Sequence, residues 1–335
     1  MASIKESVLD ARKCENLNDP IDNYVLDYVA MFFSRIFIKL GIIPNVITLL
    51  SGLVGVAGGI LLIFDTLVLN IVGVLLIIFS VIFDVCDGQV ARLTKRYSNF
   101  GRTLDGLMDS LVYVSIYVAL CFRLFSVNIP FTSTPWGWWI LIPTALAIYF
   151  HSAQSRTVDY YKNLHMYILG YHNELSRTHK IDEDIAAAKK GSFESFRLHM
   201  YRSYTKSQEK ESPETQKLLA KIEAAGGISP SVRDAFAEKS RKYVPFTNIL
   251  TFNLRTIVLF ILLFLPGHSE VVFFPFTIFA IEIARIVIIL KYEKLSKKVA
   301  ENASFELEAE PAALDEVAAD VAEEALSEEK TEQEN

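Results

Sequence analysis

The chain has 335 residues, 51% of them hydrophobic and 21% charged, with a formal net charge of −6. That charge is uneven: residues 301–335 hold thirteen Asp/Glu against one Lys, which leaves +6 on the first 300. The apolar residues gather in blocks of about 20, the length that crosses a hydrocarbon core, which excludes a soluble globule. Three scattered cysteines, Cys14, Cys86 and Cys121, exclude a disulfide framework or a cysteine-rich zinc site. No nucleic-acid partner is expected.

Residues 1–23 are polar and are expected to be loosely ordered, with no secretory signal peptide. From 24 to 40, Leu26, Val29, Phe33, Ile36, Phe37 and Leu40 recur at helical spacing with Asp27, Arg35 and Lys39 between them. This pattern predicts an amphipathic helix lying on the membrane surface. Pro44, suited to a helix start, opens a first span at 46–64. A second is expected at 66–83, a third at 104–125 and a fourth at 136–151. The fourth starts at Trp136, Trp138 and Trp139, whose indoles favour the headgroup level. Spans five and six are expected at 249–265 and 271–290. The fold class is therefore all-α, a polytopic membrane protein with six transmembrane helices preceded by an amphipathic interfacial helix.

Basic residues orient it. The loops at 65, 123–135 and 266–270 contain one Lys/Arg, Arg123, whereas the opposite segments hold Arg35, Lys39, Arg92, Lys95, Arg96, Arg102, Arg156 and more. The positive-inside rule predicts an integral, multi-pass protein with both termini cytoplasmic. The expected divisions are 1–43 (cytoplasmic N-terminus and interfacial helix), 44–154 (first four spans), 155–245 (a cytoplasmic helical insert), 246–291 (last two spans) and 299–335 (an acidic, low-complexity tail).

The segment from Asp84 to Asp109 carries the chemistry: Asp84-x2-Asp87-Gly88-x2-Ala91-Arg92-x8-Gly101-x3-Asp105-x3-Asp109. Asp84, Asp87, Gly88 and Ala91 fall at i, i+3, i+4 and i+7, one helix face; Gly101, Asp105 and Asp109 fall at i, i+4 and i+8 on the next helix. Two carboxylates then project from each of two consecutive helices, with the turn between them at the inner membrane surface. So many ionisable groups at a membrane interface are costly and mark function. Divalent cations relieve their repulsion, and oxygen ligands suit magnesium, calcium or manganese rather than zinc. Gly88 and Gly101 leave the carboxylate face bare for a ligand, and the Arg92 guanidinium pairs well with phosphate.

This segment resembles the signature of the CDP-alcohol phosphatidyltransferases at all eight fixed positions. The wider resemblance covers residues 24–291 and leaves out the insert and the tail. It implies a donor, CDP-diacylglycerol or a related CDP-alcohol, from which CMP leaves as an alcohol hydroxyl attacks the phosphorus distal to the cytidine. It implies Mg2+ or Mn2+, as two ions, on Asp84, Asp87 and Asp105, with Asp109 as general base that also touches a metal. The CDP-donor is expected on Gly88, Ala91, Arg92 and Gly101, with Asn45 and Thr48 as further contacts. Acceptors of the inositol, inositol phosphate, glycerol phosphate or serine type are expected. The motif also permits a choline/ethanolamine-type phosphotransferase acting on a lipid alcohol. A cation transporter is the reading of another class, disfavoured because its carboxylates belong at the midplane of broken helices.

Other residues carry alternatives. Ser51, Gly55 and Gly59 suit close helix packing or a bare surface for the cytidine. Asn45 suits nucleotide contact or a helix N-cap. Arg255 and Arg285 interrupt the last two spans and, with Arg156, are candidates for an acceptor or lipid phosphate; Glu282 is the competing partner of Arg285. His151 is expected as an interfacial residue. Small-residue faces allow a homodimer.

Overall fold

The computed structural model describes residues 26–96, 98–171 and 175–306. The expected loose start and the acidic tail beyond 306 lie outside the described residues. Eleven principal helices, α1 to α11, and several single turns make up the described chain.

The helix expected on the membrane surface is α1, Asp27–Lys39. Its Ala30, Met31 and Ser34 are buried, and its Phe33 and Phe37 rings meet Phe83 edge-on, with centroids 5.7 and 5.6 Å apart. Next comes α2, Pro44–Leu61, with proline in its first turn and the extended Ile43 as N-cap. Asn45 is therefore inside the helix and is not its cap. Helix α3, Leu67–Thr94, runs unbroken eleven residues past the expected end of the second span. It closes on Lys95, held left-handed at φ 54°, with the Arg96 N–H donating to the Ala91 carbonyl at 3.0 Å. Helix α4, Asn99–Leu124, begins one short turn later; its N-cap Ser98 accepts from the Gly101 N–H at 2.9 Å.

Helices α2, α3 and α4 pack at glycine separation. A Cβ on Gly58 would come within 2.7 Å of the Gly73 carbonyl oxygen, and one on Gly55 or Gly59 would collide with Ser80 or Ser115. The small-residue face of α2 is filled by its neighbours. This corrects the idea that the face is bare for a cytidine: close packing is its role.

Helix α5, Leu141–Ile168, follows a hairpin in which Trp136 and Gly137 donate to the Val127 and Phe125 carbonyls, both at 2.8 Å. Past a helical insert, the chain returns through α10, Phe252–Leu263, and α11, Ile281–Asn302. Among the described residues, five helical stretches are long and apolar enough to cross a membrane: Pro44–Leu61, Leu67–Thr94, Phe100–Leu124, Pro230–Leu263 and Ser269–Asn302. The chain is thus an all-α polytopic membrane protein. Helix α5, the expected fourth span, has the length at 28 residues, but His151, Gln154, Arg156 and Asp159 dilute its apolarity. Two of these turn inward: His151 meets the Tyr117 hydroxyl at 3.1 Å and Gln154 donates to the Thr277 carbonyl at 3.0 Å.

One end of the bundle is tied by Arg123, at the end of α4. Its guanidinium donates to Glu270 at 2.7 Å, to Asn70 at 2.8 Å and to Asp65 at 2.5 Å. The three expected outward loops therefore meet at one end. Asp109 lies fourteen residues back along α4, about 21 Å of helix, toward the other end.

The insert holds α6, Thr178–Ala187, α7, Phe193–Glu211, α8, Pro213–Ala224, and α9, Pro230–Thr247. Arg202 of α7 donates to Asp182 of α6 at 3.1 Å, and this hydrogen bond holds the Asp182 carboxyl below its usual range. The first turn of α8 is capped from another helix: Glu293 of α11 accepts from the Glu214 and Thr215 N–H groups at 2.7 and 3.2 Å. Carboxylates suit a helix N-terminus because the free N–H groups and the helix dipole both favour negative charge. Tyr161, Leu164, Leu218, Phe236, Tyr292 and Val299 share one apolar core. The expected borders at 155 and 299 thus fall inside α5 and α11, because these helices continue past the membrane-crossing length to form the walls of that core.

Candidate active site

Three of the four aspartates close on one point. Asp84 from α3 and Asp105 and Asp109 from α4 each offer a carboxylate oxygen, all within 4.8 Å of one another. The local reason is helical period: Asp105 and Asp109 are one turn apart on one face, and the short turn through Lys95 and Ser98 brings that face against the end of α3. Asp84 and Asp105 are half-buried and Asp109 is exposed, so the group opens on the Asp109 side.

The fourth, Asp87, is engaged by a neighbour. It is buried, and its Oδ2 accepts the Thr48 hydroxyl at 2.5 Å. Thr48 also reaches the Pro44 carbonyl at 3.2 Å, so α2 fixes a carboxylate of α3. Sequence reasoning gave Thr48 a nucleotide contact; the structure puts its side chain on Asp87. The Arg92 guanidinium folds over bare backbone, since a Cβ on Gly88 would lie 3.2 Å from both its terminal nitrogens. At Gly101 a Cβ would lie 2.7 Å from the Asn45 Oδ1, so Asn45 packs against the first turn of α4. Ala91 is half-buried on α3.

A strut that sequence reasoning missed supports this end of α3. Buried Gln89 donates to the Asp27 carbonyl at 3.0 Å and accepts from Ser34 at 2.9 Å; the Cys86 thiol donates to the Ala30 carbonyl at 3.2 Å. These bonds fasten α1 to the helix that bears Asp84 and Asp87. The available signal was a lone amide, Gln89, on the apolar side of the motif helix, since a buried amide needs partners.

The candidate arginines have other partners. Arg285 is engaged by Glu282 at 2.6 Å and by Glu211 at 2.7 Å. Arg255 is buried and donates to the Leu250 carbonyl at 2.7 Å and to Gln154 at 2.5 Å, leaving its Nε without a partner. It lines a small cavity with Tyr113, Tyr117 and His151; His151 is therefore a core residue and not an interfacial one. Arg156 reaches Ser152 at 3.3 Å.

Carboxylates from two helices, converging at the end of a membrane bundle without nitrogen or sulfur donors among them, form a hard oxygen set. Such a set suits a divalent cation of the magnesium or manganese kind. Residues 41–164, which contain the whole group, match the family model described as CDP-alcohol phosphatidyltransferase. This stretch, a little over a third of the chain, is similar to that family, whose members are transferases of substituted phosphate groups, act on a CDP-alcohol donor and an alcohol acceptor in phospholipid synthesis, and use divalent cations. Neither the curated proteins nor the solved structures compared with the chain contain a match.

Proposed function

We propose that this protein moves a phosphatidyl group from CDP-diacylglycerol to a small water-soluble alcohol, of the inositol, inositol phosphate, glycerol phosphate or serine type, and releases CMP. The observation that carries the reading is the oxygen cluster of Asp84, Asp105 and Asp109 within 4.8 Å, opening on the Asp109 side. Asp84, Asp87 and Asp105 would hold divalent ions, and Asp109 would complete the set. Such ions neutralise a pyrophosphate and stabilise charge on its leaving oxygen.

The chain's own groups do the rest. Gly88 lets the Arg92 guanidinium lie close to the backbone, where it would pair with the donor's phosphate; Gly101 lets Asn45 sit at the same end, and Ala91 borders the donor with a small side chain. Thr48 orients Asp87 and so acts on the donor through it. Asp109 accepts the acceptor's hydroxyl proton as the new P–O bond forms, while the P–O bond to CMP breaks and its electron pair leaves on the CMP phosphate. A carboxylate suffices because the proton moves only as that bond develops. Arg255 and Arg156 remain acceptor-phosphate candidates; Arg285, spent on two carboxylates, does not.

The reading includes six crossings, with α5 as the fourth. Its His151 and Gln154 face protein, and the hairpin after α4 leaves from the Arg123 end, so α5 runs back toward the carboxylate end. Basic residues flank that end, which puts it and both termini in the cytoplasm by the positive-inside rule.

The test is purified protein with Mg2+ or Mn2+, CDP-diacylglycerol and one acceptor at a time, reading CMP release and lipid product. CMP release with one of these acceptors and its loss in EDTA are expected. Turnover only with CDP-choline or CDP-ethanolamine and diacylglycerol would overturn the donor assignment. Full turnover of metal-free enzyme would overturn the ion assignment.

A further inference from the structure

Helix α7 of the insert carries an apolar stripe that no part of the described chain covers. Phe193, Phe196 and Met200, at i, i+3 and i+7, are 62%, 63% and 61% exposed. The helix is packed through its other side, where Leu198, Thr205 and Gln208 are buried. The stripe ends where it began to be apolar: beyond Met200 the same line continues as Ser203 and Ser207. Its length is about 10 Å of helix, comparable to the depth to which an interfacial helix sinks into the headgroup region.

A second line of apolar residues runs along α4. Phe100, Leu107, Leu111, Val118 and Phe122 recur at steps of seven and four, and all are exposed. They lie on a different face from Gly101, Asp105 and Asp109. On a helix that crosses a membrane, such a line faces hydrocarbon. Its last member at the carboxylate end, Phe100, meets Phe193, the first residue of α7, with ring centroids 6.4 Å apart. The two stripes are therefore one surface: the lipid-facing line of α4 passes through a ring contact into the exposed line of α7. Lys189 and Lys190, both exposed in the turn before Phe193, are the residue type that suits lipid headgroups beside such a surface.

We infer that the N-terminal half of α7 is a membrane-contacting face, with Phe193, Phe196 and Met200 seated in the interfacial layer of the bilayer beside the first turn of α4. The insert is then held at two places, by the Glu293 and Arg285 contacts to α11 and by the bilayer itself. The inference rests on the membrane-spanning character of α4 and not on the acceptor or donor assigned above.

The test uses the full-length chain in nanodiscs, in a Cys14→Ser background; Cys86 and Cys121 are buried. A fluorescent probe is attached at Phe196→Cys and, as the exposed polar control on the same helix, at Lys206→Cys. Quenching by lipids labelled near the headgroup and by aqueous iodide is compared. The expected result is several-fold stronger lipid quenching at 196 than at 206, with weaker iodide quenching at 196. Equal iodide access at the two sites without lipid quenching at 196 would overturn the inference. Shielding of 196 from both quenchers would also overturn it, by assigning the stripe to a second protein surface. If Phe196→Cys does not fold, Met200→Cys carries the same expectation.

Discussion

Asp109 and Asp84 differ in their exposure, and the difference gives a test of the roles proposed for them. Asp109 is the exposed member of the oxygen cluster, whereas Asp84 is half-buried. Asp109→Asn keeps shape and hydrogen bonding but cannot take a proton, so turnover is expected to fall about 100-fold or more while donor affinity is kept. Asp84→Asn would remove charge from the proposed ion site, and both metal requirement and donor affinity should suffer. CMP release beside donor binding, at saturating metal, measures this; equal loss of donor binding in both variants would make Asp109 mainly a ligand. Thr48 gives a second test, because it donates to Asp87 at 2.5 Å. Thr48→Val preserves volume and deletes that bond. Partners that orient a ligating carboxylate are worth roughly 10- to 100-fold in metal affinity or activity, so the Mg2+ dependence of turnover should move by about that factor. A shift in CDP-donor affinity with an unchanged metal curve would return Thr48 to direct nucleotide contact.

Helix α2 shows how packing, more than propensity, sets the positions of α3 and α4. Glycine is poor in a helix interior, yet Gly55, Gly58 and Gly59 are each needed because a Cβ would strike Ser80, Gly73 or Ser115. Gly59→Leu is expected to destabilise by about 1–3 kcal/mol or more through overpacking, and to cut activity by displacing α4. Gly106, on α4, is the control: a Cβ there meets nothing within 4 Å, so Gly106→Ala should gain about 0.5–1 kcal/mol from helix propensity. Thermal unfolding in detergent checks both. The Arg123 tie makes a third case. Arg123 and Glu270 side chains are 3% and 1% exposed, so Arg123→Met strands a buried carboxylate at a cost of about 3–5 kcal/mol. Arg123→Met with Glu270→Gln should recover part of that loss; no recovery would mean that Asp65 and Asn70 dominate.

The molecule as a whole is a membrane bundle whose carboxylate end continues into a helical insert without a seam. Helices α5 and α11 run out of the bundle and form the insert's walls, and the segment after α11 still belongs to the body: Ser304 donates its N–H to Ser231 at 3.1 Å and accepts from Ser229. A cut after Lys298 would remove buried Val299 and Ala300 and damage the insert core. A cut after Glu306 spares it. The chain shortened to residue 306 is expected to keep turnover within a few-fold and to unfold at the same temperature, whereas the chain ending at 298 should unfold earlier. A large activity loss in the first variant, properly inserted, would give the acidic segment a part in the chemistry.

The sequence by itself determined the membrane class, the amphipathic first helix, the pairing of carboxylates on two successive helices and the family likeness of residues 41–164. These are local properties: apolar run length, a period of 3.6 and fixed spacings within a single helix survive without knowledge of any partner. Only the tertiary structure decided which groups meet across helices. Thr48 turned out to hold Asp87, Gln89 to fasten α1, Glu211 to join Glu282 on Arg285, and Arg123 to gather three loops. Two of the polar residues that weaken the appearance of α5 as a span, His151 and Gln154, are hidden by neighbours as distant as Arg255 and Thr277. Such contacts depend on the depth and rotation of each helix, and these are set by glycine-to-glycine packing over the whole bundle, which no window of sequence contains.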